Sequence, residues 1–259
     1  MLFPYSERGM NKRIVLIIII AVTAVLLSVW LICVNRDKTG DAGKNGTASS
    51  EPVLKTDEEL IEAARYSGVM VTAGEKHASG VITAITDNKV VLLTAGHLMD
   101  GFDKGIITMY NNVIGFADVI YRSDNPDLCV MTFERNDLGE DFLATLSEAP
   151  VDVDAYNALA VGDEVFLSGS AVGQGSNATK GTVSDLDYYV SDFDANLLFV
   201  GADVFPGMSG CPVYDMYGRL IAILVGGSEY SEAVCVKAAD IAEVLRELEA
   251  GGYANAKQP

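Results

Sequence analysis

Three short segments of the sequence hold a histidine, an aspartate and a serine, in that order along the chain. They are Thr94-Ala95-Gly96-His97, Asp127-Leu128-Cys129-Val130 and Pro206-Gly207-Met208-Ser209-Gly210-Cys211-Pro212. A serine hydroxyl becomes an effective nucleophile when an imidazole accepts its proton, and a carboxylate fixes the tautomer of that imidazole. The three segments therefore predict a catalytic triad of His97, Asp127 and Ser209.

The sequence around each of the three residues supports this interpretation. Ser209 lies between Gly207 and Gly210, where a tight turn can expose the hydroxyl and aim the amides of Gly207 and Ser209 at one point, as an oxyanion hole. His97 follows the apolar run 90–93, which predicts a position at a strand end. Asp127 opens the apolar run 128–133, which predicts a carboxylate at the mouth of a second strand.

Each of these assignments has an alternative. His97 could be a buried strand-end imidazole with structural hydrogen bonds, but the only other histidine, His77, lies in a polar segment that predicts a solvated turn. Asp127 follows Asn125-Pro126 and could simply close a turn, in which case Asp124 is the nearby substitute. Asp127 is preferred because the apolar strand follows it directly.

The order and the surroundings of these motifs resemble the trypsin-like (chymotrypsin-fold) serine peptidases, especially the bacterial HtrA/Deg branch. The resemblance runs from about Val69 to Val236. It implies that His97 is the general base, that Asp127 orients it and that Ser209 attacks the carbonyl carbon. It also implies hydrolysis of peptide bonds in protein or peptide substrates, without a cofactor or a metal. No segment the size of the PDZ domain common in the HtrA group follows the catalytic motifs.

Two residues beside Ser209 depart from the digestive enzymes of this family. Met208 stands where those enzymes carry an aspartate that pairs with a newly cut N-terminus, so activation by such a cleavage is not expected. Cys211 stands where glycine is common, which puts a side chain two residues past the nucleophile.

Three further residues are candidates for binding the substrate. Asp203 lies six residues before Ser209, at the spacing where trypsin-type enzymes hold a pocket aspartate. The resemblance then implies a preference for Arg or Lys before the cleaved bond, although in the HtrA-like branch an aspartate near this place need not face the pocket. Gly226 and Gly227 follow an apolar run and are predicted at the edge that pairs with an extended substrate, or in a plain hairpin turn.

A transmembrane helix is predicted over residues 14–34. This stretch of 21 residues has no charge, and at roughly 1.5 Å per residue it spans about 30 Å, the thickness of the apolar part of a bilayer. Positive residues are nearly balanced on its two sides, so charge alone does not fix its orientation. Signal-anchor logic and the location of related peptidases favour a cytoplasmic tail over residues 1–13 and a catalytic domain outside the cytoplasm.

A linker and an all-β domain are predicted after this helix. Residues 35–55 read as a flexible tether, and Thr56-Asp57-Glu58-Glu59 is a capping-box pattern that opens a short helix ending near Arg65. The peptidase domain is placed at residues 56–250, with a tail at 251–259. Two series of six short apolar runs, separated by the polar linker 134–153, predict strands. The predicted strands are Val69–Thr72, Gly80–Thr86, Lys89–Thr94, Ile106–Tyr110, Val113–Tyr121, Leu128–Phe133, Glu164–Ser168, Gly181–Leu186, Leu197–Ala202, Cys211–Tyr214, Leu220–Val225 and Ala233–Val236.

The family resemblance selects, for these strands, two six-stranded antiparallel β-barrels with the site between them. An apolar stripe of Ile241, Val244, Leu245 and Leu248 predicts a C-terminal helix that docks on the second barrel and stops at Gly251-Gly252. Cys129, Cys211 and Cys235 lie in apolar strands and are expected as buried thiols, although an oxidising exterior permits one disulfide.

Net charge limits the range of partners. The chain carries a formal charge of −18, which disfavours nucleic-acid binding because such a surface repels phosphates. The predicted function is a membrane-anchored serine endopeptidase. The alternatives are a non-catalytic or dormant sensor or binding module of the same fold at the cell surface and, last, a membrane scaffold. The sequence does not predict the oligomeric state.

Overall fold

The computed structural model of the protein describes residues 53–171, 175–228, 230–251 and 253. The predicted transmembrane helix at 14–34 and most of the predicted linker lie outside these residues. No helix among the described residues is long and apolar enough to cross a membrane.

Twelve strands form two closed barrels of six strands each, which confirms the predicted fold class for this part of the chain. In the first barrel the strands are ordered β1-β2-β3-β6-β5-β4, and in the second β10-β11-β12-β9-β8-β7, with all ladders antiparallel. Barrel 1 comprises β1 Gly68–Ala73, β2 Lys76–Ile85, β3 Lys89–Thr94, β4 Lys104–Thr108, β5 Ile114–Asp124 and β6 Asp127–Glu134. Barrel 2 comprises β7 Glu164–Ala171, β8 Gly175–Val190, β9 Ala195–Gly201, β10 Pro212–Asp215, β11 Leu220–Ser228 and β12 Glu232–Lys237.

Four α-helices accompany the barrels in the described part of the chain. They are α1 Asp57–Ser67, α2 Glu140–Leu143, α3 Val153–Asn157 and α4 Ala238–Ala250. The predicted capping box at the start of α1 is confirmed: the Thr56 hydroxyl accepts from the Glu59 amide, and the Glu59 carboxylate accepts from the Thr56 amide. The segment 134–153, predicted as a polar linker, instead holds α2 and a 3₁₀ helix at Arg135–Asp137, because Leu138 and Leu143 are buried against barrel 1.

The described residues form three apolar clusters that make up the core. One lies among the strands of barrel 1 and one among the strands of barrel 2. The third joins the two barrels to α1 and α4, with residues from both barrels in one continuous cluster. Ile241, Val244 and Leu248 of α4 belong to it, so the predicted apolar stripe does pack on the protein's own second barrel. This shared core fixes one barrel against the other, and the candidate site lies where they meet.

Candidate active site

His97 and Asp127 form a close pair in barrel 1. Asp127 is the first residue of β6, as predicted, and its side chain is only 4% exposed. His97 was predicted at the end of a strand. It lies three residues beyond the end of β3, in the 3₁₀ helix Gly96–Met99. One Asp127 oxygen contacts His97 Nδ1 at 2.6 Å, and the other accepts from the His97 amide at 2.7 Å. The carboxylate thus fixes both the ring and the backbone of the histidine.

The close approach of Gly96 to the hairpin between β5 and β6 makes the pairing of His97 and Asp127 possible. A Cβ at this position would overlap the Ser123 carbonyl oxygen and lie 2.8 Å from Asp127 Oδ1. Only glycine therefore lets the 3₁₀ helix lie directly on the β5–β6 hairpin. The half-exposed imidazole, with 50% of its side chain accessible, keeps its Nε2 edge available for proton transfer while Nδ1 faces the carboxylate.

Arg122 on β5 ties the same 3₁₀ helix to the hairpin from the other side. Its Nε donates to the Gly96 carbonyl at 3.1 Å, and its Nη2 lies 2.6 Å from Asp124 and 3.4 Å from Asp100. Asp124, the alternative partner for the histidine, is therefore engaged by Arg122, and 78% of its side chain is exposed. The structure brings Asp127, and not Asp124, onto the imidazole.

Ser209 lies on a turn of barrel 2 between β9 and β10, which we call the serine turn, residues 206–210. Its carbonyl accepts from the Ser79 amide of barrel 1 at 2.8 Å. Gly210, with φ of +83°, lies in close contact with barrel 1: a Cβ at this position would overlap the Ser79 carbonyl and the Thr94 hydroxyl. It would also lie 3.0 Å from the amide of Ala95, two residues before His97. The serine turn therefore rests beside the histidine, although no hydrogen bond joins Ser209 Oγ to the imidazole within the described residues.

The amides of Gly207 and Ser209, predicted as oxyanion-hole donors, are both uncommitted. Neither donates a hydrogen bond to any other described residue, whereas the intervening Met208 amide donates to the Phe205 carbonyl at 3.0 Å. An oxyanion hole requires N–H donors that are open to a ligand atom, and the amides of Gly207 and Ser209 meet this condition.

A cavity of about 680 Å³ opens beside Ser209, and its lining contains all three predicted substrate-binding residues. The lining residues are Asp203, Val204, Phe205, Pro206, Ser209, Leu224, Gly226, Gly227, Ser228 and Ser231. Asp203 is exposed and accepts a hydrogen bond from the Ser231 hydroxyl, and it takes part in none of the ion pairs among the described residues. The prediction of its preference for basic side chains stays a prediction.

Gly226 and Gly227 lie inside β11 and not in a hairpin turn. They pair with Val234 and Ala233 of β12 on one side. On the other side β10 pairs with β11 between Leu220 and Ile223, and Leu224 exchanges backbone hydrogen bonds with Gly210 and Cys211.

His77 is exposed, as predicted, but it lies in β2 and not in a turn. Its Nδ1 is 3.0 Å from the Thr72 hydroxyl.

The two residues that depart from the family pattern, Met208 and Cys211, both point into the core of barrel 2. Each is fully buried there. Burial raises the pKa of the Cys211 thiol far above its usual range, and it raises that of Cys129 to about 12. Cys129, Cys211 and Cys235 are all free and buried, as expected. Among the described residues, no group of three or more His, Cys, Asp and Glu is arranged to hold a metal ion.

Sequence reasoning did not assign roles to Ser79 and Arg122, which contact the backbone of the serine turn and of the histidine segment. Both act on main-chain atoms of residues distant in sequence, Ser79 on Gly207 and Ser209, and Arg122 on Gly96. Neither residue type has a spacing that signals such a contact.

Comparison with known proteins agrees with the motifs. The curated relatives include "Serine protease HtrA-like" of Staphylococcus epidermidis, 23% identical over 94% of this chain and 45% of that protein, and "Serine protease Do-like HtrB" of Bacillus subtilis, 26% identical over 56% of this chain and 31% of that protein. The chain thus spans less than half the length of these curated relatives.

Solved structures share the fold. The serine endoprotease from Yersinia pestis matches with a TM-score of 0.62 at 21% identity, covering 77% of this chain and 69% of that one. The HtrA-type protease AlgW with tripeptide matches with a TM-score of 0.63 at 19% identity, covering 76% and 65%. The profile of the trypsin-like peptidase domain matches residues 78–223, more than half of the chain and a range that includes His97, Asp127 and Ser209. These matches confirm the resemblance predicted from the motifs, and the chain belongs to the trypsin-like peptidase domain family.

Proposed function

We propose that the protein is a serine endopeptidase in which Ser209 is the nucleophile, His97 the general base and Asp127 the group that orients the base. The observation that carries this proposal is the double contact of Asp127 with His97, at 2.6 Å to the ring and 2.7 Å to the amide. It holds the imidazole with Nδ1 toward the carboxylate, so that Nε2 is the nitrogen left to accept the serine proton.

The reaction would proceed through an acyl-enzyme. Ser209 Oγ attacks the carbonyl carbon of the scissile bond and its proton passes to His97 Nε2. The negative oxygen that forms accepts from the free amides of Gly207 and Ser209. The C–N bond then breaks as His97 returns the proton to the leaving amine. Water, deprotonated by His97, then attacks the carbonyl carbon of the ester. The bond from this carbon to Ser209 Oγ breaks as His97 returns the proton to Oγ, which releases the acid and regenerates Ser209.

An extended peptide fits along the open edge of β11. Leu224 still exchanges backbone hydrogen bonds with Gly210 and Cys211, at 2.7 and 3.0 Å. Beyond Leu224 this edge has no partner strand among the described residues, while the opposite edge of Gly226 and Gly227 is paired with β12. Main-chain hydrogen bonds to this edge would align a substrate strand with Ser209 at one end. Side chains of the substrate would then enter the cavity of about 680 Å³.

The residue before the cleaved bond is proposed to be Arg or Lys. Asp203 supports this, because its carboxylate lines the cavity and has no cation partner among the described residues. The rest of the wall is largely apolar, with Val204, Phe205 and Leu224, which favours an aliphatic side chain as the second candidate. Cleavage of a peptide library by the parent and by Asp203→Asn separates the two: a preference for Arg and Lys that survives Asp203→Asn unchanged excludes the basic pocket.

Labelling of the full-length protein with a fluorophosphonate probe tests the nucleophile. We expect the parent to be labelled, and Ser209→Ala and His97→Ala to lose labelling while keeping the circular dichroism of the parent. A folded parent that does not label would instead support a dormant peptidase or a binding module. The absence of a Ser209 to His97 hydrogen bond within the described residues is the observation compatible with that alternative.

We further propose that the peptidase domain is anchored in a membrane by residues 14–34 and faces away from the cytoplasm. The support is the uncharged stretch of 21 residues alone. Full-length protein should stay in the membrane fraction after carbonate extraction, and a chain lacking residues 1–38 should not. Protease added to intact spheroplasts should digest a C-terminal tag, whereas a protected tag would reverse the proposed orientation.

A further inference from the structure

Ser79 belongs to barrel 1, but its amide and its hydroxyl both bind the serine turn of barrel 2. The residue lies on β2 and is 1% exposed. Its amide donates to the Ser209 carbonyl at 2.8 Å, and its hydroxyl donates to the Gly207 carbonyl at 2.9 Å. Ser79 itself is held in place, because its own carbonyl accepts from the Thr94 hydroxyl at 2.7 Å.

These two bonds fix the orientation of two peptide planes. A peptide unit is planar, so holding the Gly207 carbonyl sets the plane between Gly207 and Met208. Holding the Ser209 carbonyl likewise sets the plane between Ser209 and Gly210. The Ser209 amide belongs to the single peptide unit between these two planes, and the Gly207 amide belongs to the unit just before them. Both free N–H groups therefore belong to peptide units next to those whose orientation is fixed by hydrogen bonds from Ser79.

Rotation of the plane between Gly207 and Met208 is the movement that the Ser79 hydroxyl opposes. The Met208 amide belongs to the same peptide unit, points away from the Gly207 carbonyl and donates to the Phe205 carbonyl at 3.0 Å, so the unit is held at both ends. Without the hydroxyl, the partly buried Gly207 carbonyl would lack this donor and would gain by turning toward another one. Such a turn would carry the neighbouring amides away from the point where they converge.

We propose that Ser79 is a positioning residue for the oxyanion hole, acting across the barrel interface through the Gly207 carbonyl. The proposal rests on the proposed function, since it assigns a role to that same site. Its hydroxyl touches neither the substrate nor the reacting atoms. It sets the direction of the donors, and its loss should weaken binding of the transition state more than binding of the substrate.

The first test compares Ser79→Ala with Thr83→Val in the full-length protein. Thr83 is the matched control, because it is a buried hydroxyl on the same strand whose bond, to the Val91 carbonyl at 3.5 Å, lies outside the site. Ser79→Ala should lower kcat by roughly 10- to 100-fold and change KM by less than about threefold, since a single lost oxyanion donor costs about 10²- to 10³-fold. Thr83→Val should leave kcat within about twofold.

The conservative variant Ser79→Cys tests whether a weaker donor at this position partly restores kcat. A thiol is a weaker and somewhat larger donor, so we expect kcat between that of the parent and that of Ser79→Ala. The proposal is overturned if Ser79→Ala keeps kcat within twofold, or if both alanine and control variants lose kcat in proportion to their loss of Tm.

A second readout does not depend on catalysis. With ¹⁵N-glycine labelling, the amide resonance of Gly207 should shift in Ser79→Ala and stay in place in Thr83→Val. If the parent proves inactive but the Gly207 resonance shifts, the proposed function fails while the positioning role stands. An unchanged Gly207 resonance in folded Ser79→Ala overturns the positioning role whether or not the parent is active.

Discussion

The two barrels contribute to the candidate site in different ways. Barrel 1 supplies His97 and Asp127, which are bound to each other through two hydrogen bonds and backed by Arg122. Barrel 2 supplies Ser209 on a turn whose described hydrogen bonds to barrel 1 all come from Ser79. The base is thus assembled within one barrel, whereas the nucleophile acquires its position only by contact with the other. A change in barrel 1 can therefore disturb either half of the site.

Removing the carboxylate should have the largest effect on activity, because the base depends on it alone for its tautomer. Asp127→Asn should lower kcat by about 10³- to 10⁴-fold. The matched control is Asp118→Asn, an exposed carboxylate of β5 paired with Lys104, which should leave kcat within twofold. Steady-state kinetics on a cleaved peptide measures both. Equal losses in the two variants would contradict a special role for Asp127.

Overfilling the contact between the barrels should have the largest effect on stability. Gly210→Ala places a Cβ against Ser79 and Thr94 at a φ of +83°, and we expect the free energy of unfolding to fall by about 3 kcal/mol. Gly101→Ala, at a φ of +81° with open space around the new Cβ, should cost only about 1 kcal/mol. Urea denaturation measures the difference. Equal costs would mean that the serine turn does not rest tightly on barrel 1.

Loss of Arg122 should make the position of His97 less fixed without separating it from Asp127. Arg122→Met removes the bonds to Gly96, Asp124 and Asp100, and we expect kcat to fall by roughly tenfold, because small displacements of a catalytic group are costly. Arg122→Lys should recover little, since lysine lacks the planar fork of donors. Arg135→Met, which removes an ion pair with Glu140, is the control and should not change kcat. An unchanged kcat in Arg122→Met would show that Asp127 alone suffices.

The smallest effect is expected from thiol reagents. Burial raises the pKa of Cys129 in barrel 1 to about 12 and raises the pKa values of Cys211 and Cys235 in barrel 2 as well. A raised thiol pKa means less thiolate at pH 8, so iodoacetamide should leave all three thiols unmodified, and activity unchanged, until the protein unfolds. Mass spectrometry of the peptides measures the modification. Selective reaction of Cys211 or Cys235 would show that barrel 2 opens more readily than barrel 1.

All twelve strands and both long helices of the described domain were predictable, because their signals are local. Alternating burial in β1 and unbroken apolar runs in β3 and β6 follow directly from residue type. Two features that depend on distant partners were not predicted. The segment 134–153 folds into short helices because barrel 1 buries Leu138 and Leu143, and β11 continues past its predicted end at Val225 because β12 pairs with Gly226 and Gly227.

The sequence by itself determined the two series of strands, the closing helix and the candidate base and nucleophile, His97 and Ser209, because each depends on residue type and on spacing along the chain. The tertiary structure decided which carboxylate meets His97, since Asp127 and Asp124 are directly paired across one hairpin and only their orientation separates them. It also decided that Ser79 holds the serine turn. Ser79 is 128 positions from Gly207 and 130 positions from Ser209, and only the packing of one barrel on the other brings them together.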